Sequence, residues 1–160
     1  MSLAIFPVSS GKKRYLELLL LGDEQESMID RYLDRGDMYA LADGEVRAVC
    51  VVTDEGGGLL ELKNLAVAPA FQRQGYGRAL IDFLVRQNKG SFSALQAGTG
   101  DSPLTVGFYE KCGFRRAHVI KDFFLENYDH PIIEAGVPLR DMIYFILDFP
   151  SKKEEQHGNF

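Results

Sequence analysis

The sequence predicts an α/β (α+β) domain, a mixed central sheet of about six to seven strands flanked by about four helices. Three observations carry the expectation. Apolar residues recur at helical spacing in some segments and at strand spacing in others. Glycine and proline punctuate the changes. The 160 residues are 46% hydrophobic, enough to close one core without metal or disulfide staples.

The first helix is expected over residues 12–21, where Tyr15, Leu18 and Leu19 take the i, i+3, i+4 positions of a buried face. Met28, Ile29, Tyr32 and Leu33 repeat the pattern in a second helix, which Gly36 is expected to end in the left-handed conformation. Strands over 38–41 and 46–53 follow. The Asp43-Gly44 pair between them suits a type I′ turn, since both central positions of that turn need positive φ. Residues 59–67 form the next strand, an apolar run interrupted by Glu61, Lys63 and Asn64 and closed by Pro69.

A helix over 75–87 carries Leu80, Ile81, Phe83, Leu84 and Val85, too widely apolar for one exposed face. After a short strand at 92–97, Ser102-Pro103 reads as an N-cap followed by proline at the first helical position, and that helix runs to Gly113. Strands at 114–125 and 142–149 are divided by a polar loop over 126–140, long enough to suggest a function. Residues 1–150 read as a single domain. The charged, aperiodic tail over 151–160 reads as flexible.

The net charge of −5 speaks against a nucleic-acid surface, which needs clustered Lys and Arg. Cys50 and Cys112, the two cysteines, lie far apart without zinc-ligand spacing, so no metal is expected and a reducing cytoplasm is the natural compartment. Residues 1–8 lack a signal peptide's apolar segment. No run reaches the ~18 apolar residues of a bilayer span, so no membrane partner is expected.

The most distinctive local feature is Gln72-Arg73-Gln74-Gly75-Tyr76-Gly77 between a strand end and a helix start. Backbone N–H groups in such a loop, aided by the helix dipole, cradle a diphosphate. Glycine at 75 and 77 would remove Cβ atoms from the path of the phosphates, and Arg73 and Arg78 would add charge. An ordinary tight turn is the alternative. The dinucleotide G-x-G-x-x-G and the P-loop G-x-x-x-x-G-K-[ST] patterns are both absent.

Leu62-Lys63-Asn64-Leu65-Ala66-Val67-Ala68-Pro69, followed by Gln72-x-x-Gly75-x-Gly77, resembles the acetyl-CoA motif of the GNAT acetyltransferase superfamily, [QR]-x-x-G-x-[GA]. About thirty residues later, Phe108-Tyr109-Glu110-Lys111-Cys112-Gly113-Phe114 resembles that superfamily's F-Y-x-x-x-G-F motif. The resemblance implies the GNAT fold, with two parallel strands splayed apart, and acetyl-CoA as cosubstrate. Backbone amides of Gln72, Arg73, Gln74, Gly75, Tyr76 and Gly77 would hold the diphosphate. The strand edge at Leu65 and Val67 would pair with the pantetheine arm as with an added strand, and the Leu65 amide would stabilise the oxyanion. A homodimer is common in the family. One departure is Asp101-Ser102-Pro103 where many members carry an asparagine that touches pantetheine; Ser102 would substitute for it or serve only as an N-cap.

N-acetylation requires an amine that has lost its proton, and a proton for the departing thiolate. By the motif match Tyr109 is the candidate acid, the alternative being a core aromatic. Along its helix Leu104, Phe108 and Cys112 form one apolar row, with Tyr109 to the side. Glu61 stands where several family members carry a catalytic glutamate and is the candidate base; a solvent-facing strand charge is the alternative. Cys112 has no neighbouring histidine in sequence, which favours direct transfer over an acyl-enzyme. The acceptor pocket is expected from the first two helices and the 126–140 loop, where Glu126, Asp129, Glu134 and Asp141 would attract a cationic amine or merely face solvent. A small-molecule primary amine is the preferred acceptor. A protein N-terminus or lysine, and a non-catalytic acyl-CoA-binding module, are the other readings.

Overall fold

The computed structural model describes residues 3–150, so the expectation of a flexible tail lies outside the described residues. Seven strands form one sheet in the order β1-β2-β3-β4-β5-β9-β6. They are β1 (Leu3–Val8), β2 (Asp37–Asp43), β3 (Glu45–Asp54), β4 (Leu59–Val67), β5 (Ala94–Gly100), β6 (Arg115–Ile120) and β9 (Met142–Asp148). A two-stranded hairpin, β7 (Ile133–Glu134) with β8 (Val137–Pro138), stands apart from it. Among these strands β4 and β5 are the parallel pair, and every other pairing is antiparallel.

Helices cover both faces because β2 to β5 bury side chains on both. One layer sets Leu80, Ile81 and Leu84 of α3 (Tyr76–Asn88) and Val106 and Tyr109 of α4 (Pro103–Lys111) against Cys50, Val52, Leu62, Leu95 and Phe145. The other sets Leu19 of α1 (Leu16–Gly22) and Ile29 of α2 (Glu26–Ile29) against Met38, Ala40, Val49 and Val51. The even and odd residues of β3 thus serve different layers, as a strand's alternation requires. A third, small cluster of Phe124, Ile132 and Leu139 lies beneath α5 (Phe123–Asn127) and the hairpin. Among the described residues no helix is long and apolar enough to cross a membrane.

Several expectations need correction. The first helix opens as a 3₁₀ turn over Lys12–Tyr15, and the second is one α-helical turn continued by irregular turns. Gly36 is not in the left-handed region; a Cβ there would lie 2.8 Å from Val51 Cγ1, so glycine serves close approach to β3. In the hairpin Gly44 has φ of 83° while Asp43 does not take positive φ, which excludes the type I′ turn. Residues 123–127 are a helix rather than the end of a strand, and the 126–140 loop contains the small hairpin. Strand β1 was not expected.

Candidate active site

Strands β4 and β5 pair only from Leu59↔Ala94 to Leu62↔Ala97, although β4 continues to Val67 and β5 to Gly100. The cause lies on the other side of β4. Val51 and Val52 of β3 face Asn64 and Leu62, so Lys63 is an extra residue on β4. Such a bulge bends its strand and strengthens the local twist, which swings residues 63–67 away from β5. The N–H and C=O groups on that edge of β4 are left without a strand partner, while Leu65 remains in register with Cys50 on the β3 side. The parted strands implied by the family resemblance are therefore present, and the open edge at Leu65 and Val67 offers the hydrogen-bonding groups an extended arm would use.

At the end of β4 the chain makes a 3₁₀ turn over Pro69–Phe71 and enters the glycine loop. Gln72 donates from Nε2 to the Val67 carbonyl at 3.1 Å, pinning the loop to the strand end. Arg73 and Gly75 take φ of 63° and 88°. The α3 ladder opens with Ala79 N–H donating to Gly75 C=O at 3.0 Å, so the preceding amides stand at the positive end of the helix. Nothing lies within 4 Å of a Cβ placed at Gly75, whose need for glycine is conformational. Gly77 works differently from the sequence expectation: its Cβ would point inward, 3.2 Å from Phe108 Cζ, so its role is packing of α3 on α4. The Tyr76 ring is likewise buried in the protein body, and only its backbone belongs to the loop. Arg78 donates to the Lys111 carbonyl at 3.4 Å, and Arg73 is exposed at the loop.

Two adjoining cavities open at the parted strands, of about 190 and 220 Å³. The first is lined by Asp23, Asn64, Leu65, Tyr109, Tyr128 and Glu134, among others. The second takes in Glu61, Arg31, Tyr32 and Tyr144. Asp23, Leu62, Lys63, Gly98, Tyr128 and Met142 line both and form the neck between them. A Cβ at Gly98 would lie 2.9 Å from both Met142 Sδ and Tyr144 Cε1, so glycine keeps room at this neck.

Tyr109 and Glu61 consequently line different cavities. Tyr109 is 8% exposed and packs edge-on against Phe108 and Phe114 and face-on against Phe145. Burial pushes its phenol above the usual tyrosine range, so the proton stays on the oxygen throughout neutral pH. The apolar row expected on α4 is not its buried face: Val106 and Tyr109 are buried and Leu104 is exposed. Glu61, 6% exposed, accepts from Gln96 Nε2 at 2.6 Å and is ion-paired to Lys63. It is a buried residue of the second cavity's wall rather than a solvent-facing strand charge.

Ser102 takes the N-cap alternative: its side chain is fully buried and accepts from Leu104 N–H at 3.3 Å at the start of α4. Cys112 is half-buried at the end of α4, and burial raises its thiol, which disfavours the thiolate needed of an acyl carrier. Of the four loop acids, only Glu134 lines a cavity, with its pKa raised by burial. Asp141 accepts from the Asp122 amide, Asp129 contacts His130, and Glu126 is exposed.

Sequence reasoning missed Asp23, between α1 and α2, and the tyrosines that hold it. Tyr128 donates to its Oδ1 at 2.7 Å and Tyr32 to its Oδ2 at 3.3 Å. Burial raises this carboxyl above the usual range, and the tyrosine hydrogen bonds only partly offset the effect. Asn64 lies beside it in the fold, donating to Leu19 C=O at 2.9 Å and the Tyr32 hydroxyl at 3.1 Å, while its own carboxamide oxygen is buried without a partner. A polar residue inside the apolar run of β4 was the available sign of Asn64. No comparable pattern marks a lone aspartate after Gly22.

The open edge of β4, Glu61, the glycine loop and Tyr109 fall within 34–116, the segment matched by the Acetyltransferase (GNAT) domain family, while Asp23, Tyr128 and Glu134 lie outside it. Over 135 residues the chain is 37% identical to the uncharacterized N-acetyltransferase YvbK of Bacillus subtilis, covering 82% of this chain and 87% of that one. The fold superimposes on an IAA acetyltransferase from Bacillus cereus with a TM-score of 0.86 and 35% identity, covering 92% and 99% of the two chains. It also superimposes on a GNAT family acetyltransferase from Elizabethkingia anophelis with acetyl-CoA bound, with a TM-score of 0.86 and 34% identity over 91% and 97%. The chain belongs to the GNAT acetyltransferase family, as an acyltransferase whose cosubstrate is acetyl-CoA.

Proposed function

We propose that the protein transfers the acetyl group to the primary amine of a small molecule, by direct attack in a ternary complex. The observation that carries this reading is the paired cavity at the parted strands. The open edge of β4 and Tyr109 adjoin one half, Glu61 lies in the other, and Asp23 lines both. Cavities of about 190 and 220 Å³ suit a small acceptor.

Acetyl-CoA supplies an activated thioester. The amides over 72–77 hold its diphosphate at the α3 N-terminus, with Arg73 and Arg78 adding positive charge nearby. The edge of β4 aligns the arm, and the Leu65 N–H donates to the carbonyl oxygen as negative charge builds on it. Tyr109, which burial keeps protonated, donates to the departing sulfur. Glu61, held by Gln96 and Lys63, accepts the amine's proton through water in the second cavity. The raised thiol of Cys112 supports direct transfer over a covalent acyl-enzyme.

The test is a thiol-release screen with acetyl-CoA against primary amines and against peptides with free N-termini or lysines. Saturable turnover of small amines is expected. Activity confined to peptides would overturn the small-molecule assignment. Replacing Glu61 with Gln is expected to slow the reaction and alter its pH profile, and an identical profile at every pH would remove Glu61 from the mechanism.

A further inference from the structure

Asp23 is a half-buried carboxylate held by neutral donors. The phenols of Tyr128 and Tyr32 donate to its two oxygens. A carboxylate accepts at about four sites, so acceptor capacity remains. Among the described residues no Lys, Arg or His forms an ion pair with it. Arg31 exerts an electrostatic effect on it without pairing, and that side chain is exposed at the second cavity. Lys63, in the same neck, is occupied by Glu61. Burying a carboxylate without a cation is costly, and a ligand bringing its own positive charge would offset that cost.

The surroundings favour an ammonium. Asn64, which lines the first cavity, donates to the Tyr32 hydroxyl at 3.1 Å and so helps hold the phenol that bonds Asp23. The ring of Phe124 stacks on Tyr128 at 5.5 Å and lines the same cavity, giving aromatic faces of the kind that attract cations. An –NH₃⁺ group has three donors and no acceptor, matching the Asp23 carboxylate and the ring faces.

We propose that Asp23 binds the ammonium form of the acceptor, placing an aliphatic primary amine in the neck between the cavities with its nitrogen toward the open edge of β4. This rests on the amine reading above and narrows the acceptor to amines that are cationic at neutral pH. Weakly basic aromatic amines, neutral at that pH, gain nothing from Asp23. The two phenols are positioning residues that fix the carboxylate's orientation.

The test uses n-butylamine as probe and aniline as its neutral counterpart. In Asp23→Asn, KM for butylamine is expected to rise at least about tenfold, the loss of a charge-assisted bond, with KM for acetyl-CoA unchanged and kcat at saturation within about threefold. Asp23→Glu, which keeps the charge, should recover part of the affinity. An unchanged butylamine KM, or an equal loss for aniline, would overturn the assignment. Failure of the amine reading shows separately, as absence of turnover with every amine in the wild type. In that case calorimetry of butylamine with the protein saturated in coenzyme A still decides: binding by the wild type and not by Asp23→Asn supports the role, and equal or absent binding in both overturns it.

Discussion

Arg47 donates from Nη1 to the Tyr76 hydroxyl at 2.7 Å, and that hydroxyl donates on to Asp43 Oδ2 at 2.9 Å. Arg47 is itself the extra residue of a bulge on β3, since Leu41 pairs with Ala48 and Ala42 with Val46. Its guanidinium also lies 4.0 Å over the Phe71 ring. Phe71 and Tyr76 flank the glycine loop on either side, so a single side chain anchored in the sheet braces both ends of the diphosphate-binding segment.

Removing the hydroxyl should loosen the loop without touching the chemistry. Tyr76→Phe leaves Arg47 and Asp43 each short of a partner and is expected to raise KM for acetyl-CoA roughly three- to tenfold. Steady-state kinetics with both substrates varied should show kcat and the amine KM little changed. A fall in kcat with unaltered acetyl-CoA affinity would count against the bracing role.

Tyr109→Phe keeps the ring packing against Phe108, Phe114 and Phe145 and deletes only the donor. Turnover is expected to fall at least about tenfold, with acetyl-CoA binding and melting temperature almost unaffected. Unchanged turnover would return Tyr109 to the core as an ordinary aromatic.

A methyl group at position 22 meets the buried amide of Asn64. The added Cβ of Gly22→Ala would lie 2.2 Å from Asn64 Oδ1, whose side chain is tied to Leu19 and Tyr32. Overpacking of this kind costs about 1–3 kcal/mol, measurable by denaturant unfolding. Equal stability of variant and wild type would mean that Asn64 is free to move, contrary to its hydrogen bonding.

Because burial raises the Asp23 carboxyl in the folded state, the unfolded chain loses that proton first as pH rises. Between the ordinary carboxylate range and the folded-state pKa the native protein binds more protons, so this group's contribution to stability falls with increasing pH. Asp23→Asn does not ionise. Its stability relative to wild type is therefore expected to improve as pH rises from about 4 toward the folded-state pKa, as is common where function retains an unfavourable charge. Denaturant melts across that range test the sign, and a variant that loses ground with rising pH contradicts it.

The sheet from β2 to β5, the glycine loop and the α4 N-cap were legible because each rests on local chemistry: alternation, a Gly with positive φ, and Ser-Pro at a helix start. Strand β1 was not, since it is an edge strand carrying Pro7 with most of its residues exposed or half-buried, which blurs any alternation. The segment over 123–139 gains its helix and hairpin by packing Phe124, Ile132 and Leu139 together, a tertiary effect without a strong local signature. Tyr109 and Glu61 were named from motif position, but their separation into two cavities follows from the tertiary packing of α4 and β4 and has no local signature. Asp23 becomes visible only when Tyr128, distant in sequence, arrives at 2.7 Å.

The central claim is that the segment over 72–77 grips a diphosphate so that the attached thioester enters the gap between β4 and β5. Calorimetric titration with coenzyme A, set beside pantetheine as the same arm without the nucleotide diphosphate, tests it most directly. Micromolar binding of coenzyme A, with no measurable heat from pantetheine at millimolar concentration, is the predicted result. No association with coenzyme A at millimolar concentration, or equal affinity for the two ligands, would contradict it.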